Sequence, residues 1–172
     1  EVMNSSGYPQ LSDVNSKVSS VYSHHVFEPS GLSESAAEAL KPSMTNVLMW
    51  KTSMFDMVEK GLQFFTGDGS YGEVPSSEAW GYCTDNSRRA FQWVKLTHKL
   101  SGKIVWVFNT HFPVNNTNHT NDNPTGDNSK AREVCMTKMV EKAYELCGDE
   151  AVVYFTGDFN SAYSRADAFV LD

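Results

Sequence analysis

The chain has 172 residues, of which 40% are hydrophobic, 12% aromatic and 20% charged; these proportions, with no run of about 18 apolar residues, exclude disordered, collagen-like and membrane-spanning classes and leave one globular domain. The net charge is −7, which lacks the basic footprint of a protein that clings to a nucleic-acid backbone. A phosphate substrate would therefore need local positive charge or a bound cation.

Residues 1–45 are rich in Ser, Asn and small side chains, and Val14, Val18 and Val21 fall at helical spacing within them. The stretch from Ser33 to Leu40 has good helix formers, but Pro42 stops it, so a loop or short helix is expected. Asn46–Trp50 is an apolar run of strand length, and a polar–apolar stretch follows from Phe55 to Phe65; the two read as a hairpin. Residues 66–88 collect Gly, Pro75 and polar side chains, a loop long enough to line or cover a site.

The clearest hairpin joins Arg89–Leu96 to Ile104–Phe108 through Ser101-Gly102-Lys103. Its second arm is apolar at every position and its first arm keeps a wetter face. From Ala131 to Leu146, the residues Ala131, Val134, Cys135, Met139, Ala143 and Leu146 recur at three- and four-residue intervals, and Gly148 follows as a C-cap; this predicts a helix. Ala151–Phe155 reads as a buried strand. Strand, helix and strand in this order give mixed α/β layers.

Cys83, Cys135 and Cys147 form no Cys-x-x-Cys motif, so neither a zinc site nor a dense disulfide framework is expected. Sequons occur at Asn4, Asn115 and Asn118, about as many as the composition gives by chance. The chain starts at Glu1 and stops at Asp172 after an apolar stretch, so both ends read as cut.

Two of the apolar strands end in polar residues: one in Asn109-Thr110-His111, the other in Gly157-Asp158-Phe159-Asn160. Strand ends in layered α/β folds are where ligands sit. If the two strands lie side by side, His111, Asp158 and Asn160 converge, and together they can handle a phosphate and a hard cation. The carboxylate ligates Mg²⁺ or orients a water, the amide donates to a phosphoryl oxygen, and the imidazolium stabilises developing charge. The same residues also serve as ordinary turn and strand-end residues, so pattern alone leaves both readings open.

Asn109-Thr110-His111-Phe112 and Thr156-Gly157-Asp158-Phe159-Asn160-Ser161, each after an apolar strand, resemble two signature strands of the endonuclease/exonuclease/phosphatase family, the DNase I-like fold. Arg89 four residues before Trp93, and the hairpin from Trp50 to Phe65, extend the resemblance from Asn46 to about Asp172. It implies an α/β sandwich of four layers, two facing mixed sheets flanked by helices, here as a single incomplete domain over residues 1–172. It also implies a hydrolase that uses Mg²⁺, or Mn²⁺, to assist attack of water on a phosphate ester, with a nucleic acid as one substrate class.

In the family a Gln-Glu-Val segment carries a metal-binding Glu, and Glu1-Val2 looks like its remainder; the resemblance makes Glu1 a metal ligand together with Asp158. Asp158 would also orient or activate the water, Asn160 bind the scissile phosphate and His111 stabilise its charge. Arg89 and Asn109 stand as substrate contacts or, equally, as a salt bridge and a backbone cap. Trp80, in the long loop, is placed to stack on a substrate ring, whereas Trp106 reads as core. Arg132 is assigned either a phosphate or a helix-face carboxylate, and His24-His25 a solvated pair.

The sequence departs from the family pattern in three places. The opening strand with its active-site Asn and the closing Ser-Asp-His element are absent from these 172 residues, and Ala90 stands where DNase I has a carboxylate. The fragment alone is therefore expected to be inactive, and a catalytically incomplete binding module is the rival reading.

Overall fold

The computed structural model describes residues 4–5, 8–26, 46–65, 90–115, 128–148 and 152–161. In chain order they form β1 (Asn4–Ser5), β2 (Tyr8–Pro9), α1 (Gln10–Val18), β3 (Tyr22–Val26), β4 (Val47–Lys51), β5 (Phe55–Phe64), β6 (Ala90–His98), β7 (Ile104–His111), α2 (Ser129–Cys147) and β8 (Val152–Asp158). Strands β5-β6-β7-β8 make one sheet, antiparallel except for the parallel β7–β8 pair; β3 and β4 make an antiparallel ribbon, and β1 pairs with β2.

Side chains on a strand alternate between faces, and β6 shows the consequence. Phe91 and Trp93 join the core on one face, and Val94 and Leu96 the core on the other. On the first face Trp106 and Phe108 of β7 meet Cys135, Met136, Met139 and Ala143 of α2. These helix residues fall three and four apart, which puts them on one stripe. Gly148, at φ +63, ends the helix, a conformation in which a Cβ is strained. Stacked or tilted rings run through this core, from Phe65–Phe91 at 5.2 Å to Phe108–Phe155 at 5.5 Å. Phe91 and Phe108 are fully buried, each worth about 1.5–3 kcal/mol of transfer free energy.

On the opposite face Leu48 and Trp50 of the ribbon pack onto Val94 and Leu96. The layers are therefore ribbon, sheet and helix, with two sheets face to face as expected; the smaller one is purely antiparallel. Gln92, 1% exposed, stitches the layers by donating to the Asn46 carbonyl at 2.9 Å.

Several expectations are corrected. β4 and β5 are consecutive and share the turn at 52–54, yet they do not pair: β4 pairs with β3, and β5 with β6. Face-to-face packing of Leu48 and Trp50 on β6 requires β4 to leave the plane of the sheet that β5 enters. The β6 arm has no wetter face between Phe91 and Val94, because helix and ribbon cover it from both sides. β8 is not buried on both faces: Val152 and Tyr154 are 41% and 55% exposed, since its inward face alone meets the core. His25 is not solvated; it is buried at 5% exposure with Nε2 3.2 Å from the Gly61 carbonyl oxygen. Val21 lies in a turn past the end of α1, and both it and Val14 are exposed. The segments 33–40 and 66–88 lie outside the described residues, as does Cys83; Cys135 is buried and Cys147 half-buried.

Candidate functional site

Parallel pairing of β7 with β8 sets Asn109 opposite Thr156, Thr110 opposite Gly157 and His111 opposite Asp158. The strands run out together, because the Phe112 N–H donates to the Asp158 carbonyl at 2.8 Å one residue further on. Such close approach requires glycine at 157: φ is +131 there, and a Cβ would collide with the Thr110 carbonyl oxygen. The turn residue thus sets the register that puts imidazole beside carboxylate.

His111 Nε2 lies 3.8 Å from Asp158 Oδ2. The imidazole is mostly covered, at 14% exposure, whereas the carboxylate is 59% exposed and so keeps a face for water, a cation or substrate. The other carboxylate oxygen, Oδ1, accepts the Asn160 backbone N–H at 2.9 Å, closing an Asx turn that fixes the carboxylate's rotation. Asn160 takes φ +49, a left-handed conformation that Asn tolerates better than most residues. Its Nδ2 donates to the Phe112 carbonyl at 2.7 Å, and the same NH₂ carries a second N–H that can donate to an oxygen ligand.

The three residues expected to converge therefore do so. Asn109 stands one step back: its Nδ2 donates to the Val47 carbonyl at 3.4 Å and its Oδ1 accepts from Thr156 Oγ1 at 3.3 Å. It ties ribbon to sheet beneath the site. Trp106 is core, 1% exposed, with Lys95 Nζ 5.0 Å from its ring centroid. Glu1, Arg89 and Trp80 lie outside the described residues.

An open cleft of about 580 Å³ adjoins the triad, lined by Val114, Asn115 and residues 157–161. Ser161 Oγ is shielded there with no hydrogen-bond partner among the described residues. The 113–115 wall is held from α2. Arg132 is fully buried, and its Nη1 donates to the Pro113 carbonyl at 3.2 Å and to Asn115 Oδ1 at 2.8 Å. Asn128 donates from Nδ2 to the Val114 carbonyl at 2.6 Å, and from its backbone N–H to Asn115 Oδ1 at 2.8 Å. Arg132 thus faces neutral oxygens at these two contacts, and neither the phosphate nor the carboxylate reading describes them. Its position on the apolar stripe of α2, next to Ala131, was the available signal for burial.

Among the described residues no three His, Cys, Asp or Glu side chains group closely enough to hold a metal ion. Asp158 and Asn160 nevertheless supply oxygen donors of the kind hard cations prefer, and the exposure of Asp158 leaves it accessible. No described helix is long and apolar enough to cross a membrane.

No family model matches the sequence, and no curated protein matches it. Solved structures do. An endonuclease/exonuclease/phosphatase family protein from Bacteroides vulgatus superposes with a TM-score of 0.63 at 19% identity, over 92% of this chain and 50% of that one. A mannosyl-6-phosphatase from Bacteroides thetaiotaomicron gives 0.62 at 21% identity, over 92% and 49%. ANGEL2, a 2',3'-cyclic phosphatase solved with adenosine-2',3'-vanadate, gives 0.60 at 14% identity, over 95% and 39%. The chain spans about half the length of these structures or less, and it shares their DNase I-like fold.

Proposed function

We propose that this chain carries part of the active site of a phosphoester hydrolase that uses a divalent cation, Mg²⁺ or Mn²⁺. The observation that carries the reading is the in-register pairing of His111 with Asp158, with Asn160 locked beside them. Solved structures of the same fold are named as phosphatases acting on mannosyl-6-phosphate and on 2',3'-cyclic phosphate, and one holds a single-stranded DNA product. These support phosphate esters, nucleic acids included, as the substrate class.

In this reading Glu1 and Asp158 hold the cation, which when bound polarises a phosphoryl oxygen. The Asp158 carboxylate, 59% exposed and held by the Asn160 N–H at Oδ1, orients the attacking water and takes its proton. Asn160 directs its second amide N–H at a phosphoryl oxygen, pre-aimed by its bond to Phe112. His111, when protonated, donates to the phosphate as negative charge develops. Arg89 and Trp80 are proposed as contacts to substrate.

The test is hydrolysis of bis(p-nitrophenyl) phosphate by the complete protein under Mg²⁺ titration. Turnover should rise with Mg²⁺ and fall on the order of 10²-fold or more in Asp158→Ala. Equal turnover in the variant, or turnover indifferent to chelation, would discard the reading.

A further inference from the structure

Three anchors converge on the four residues that follow β7. Arg132 and Asn128, at the start of α2, grip Pro113, Val114 and Asn115 through four hydrogen bonds of 2.6 to 3.2 Å. Phe112 is bound to β8 through its own N–H, and its buried ring sits against Phe65 and Phe159 at 5.6 and 5.2 Å. The Phe112 carbonyl then receives Asn160 Nδ2. Val114 and Asn115, the end of the same short segment, line one side of the cleft.

We infer that Arg132 is a positioning residue for this site: its buried guanidinium fixes the segment 112–115, and through the Phe112 carbonyl it aims the Asn160 amide into the cleft. The inference rests on the function proposed above. Its chemical basis is the planarity of the guanidinium. Two acceptors that diverge, a backbone carbonyl and a side-chain oxygen, are met by the N–H bonds of one Nη1, whose directions the guanidinium plane fixes, whereas the N–H bonds of an ammonium rotate on a more flexible stem. Asn115 Oδ1 is shared between Arg132 and the Asn128 N–H, so one acceptor ties the wall to the start of α2. A group held this way keeps reacting atoms within the small tolerance that catalysis requires, where displacement by about 1 Å can cost on the order of 10²-fold in rate.

The test compares Arg132→Lys, Arg132→Met and Asn115→Ala in the complete protein with Mg²⁺. It reads kcat and KM, thermal midpoint, and the ¹⁵N–¹H resonances of the Asn160 side-chain amide. The expected result is a graded fall in kcat, about tenfold or more for Arg132→Lys and greater for Arg132→Met, with KM moved less than about twofold. The Asn160 amide resonances shift in step, and Arg132→Lys adds nothing further to the loss already produced by Asn160→Ala. Unchanged kcat in folded Arg132→Lys, an unmoved Asn160 amide, or effects that add to those of Asn160→Ala would overturn the inference. Should the Arg132 variants not fold, Asn115→Ala, at an exposed position, removes the shared acceptor and decides by the same readouts. Should the wild-type protein hydrolyse no phosphoester, the proposed function falls, while the Asn160 resonances still decide whether Arg132 aims that amide.

Discussion

Gly157 governs the site with no functional group of its own. Alanine there meets the Thr110 carbonyl and sits at φ +131, a backbone region essentially reserved for glycine. Gly157→Ala is expected to lose about 2 kcal/mol or more in urea unfolding, and turnover should fall with it because Asp158 leaves register with His111. Cys147 makes a different prediction. Burial, partly offset by Lys95 and reinforced by Glu59, pushes its thiol from 9.0 up to about 11. A group that holds its proton more tightly when folded stabilises the fold below its unfolded value and loses that contribution as pH rises from about 9 through about 11. Wild type should thus lose more stability than Cys147→Ala across that interval, as followed by thermal midpoint against pH.

Among the elements, β4 shows how a local reading of strand pairing goes astray. Its inward residues Leu48 and Trp50 are 8% and 7% exposed and face β6 across the sandwich. Trp50→Ala should cost about 3–5 kcal/mol as the cavity forms, seen as a lowered denaturation midpoint. β5 carries the matching constraint. Gly61 lies directly opposite Trp93, whose ring a Cβ at 61 would strike. The ring is held in the core, so Gly61→Ala should cost about 1–3 kcal/mol, visible in the same unfolding curve. Helix α2 was legible from 131 to 146 because a 3.6-residue period persists over that stretch. What the period did not reveal is what Arg132, on the same buried stripe, holds: the Pro113 carbonyl and the Asn115 side chain.

For the whole molecule, the uneven cover of β8 matters most. β7 is its one strand neighbour among the described residues, and Val152, Tyr154 and Asp158 share the outward face with the site. Exposed apolar side chains on a sheet face offer a surface for association. The 172-residue chain is therefore expected to self-associate with rising concentration in analytical ultracentrifugation, and Val152→Lys with Tyr154→Lys should return it to monomer. If the double variant associates as strongly as wild type, β8 is not the contact.

The sequence by itself determined the elements and their chemistry. Period and strand length marked β6, β7, α2 and β8, and the polar residues after β7 and β8 marked His111, Asp158 and Asn160, because local patterning and turn chemistry act over a few residues. Only the tertiary structure decided which strands pair, which faces are covered and which side chains brace the site. Partner choice for β4, cover for β8, burial of His25 and the grip of Arg132 on Pro113 and Asn115 are contacts between residues 17 or more apart in the chain. Such contacts depend on how layers stack to exclude water and satisfy buried polar groups, and short-range periodicity carries no record of that.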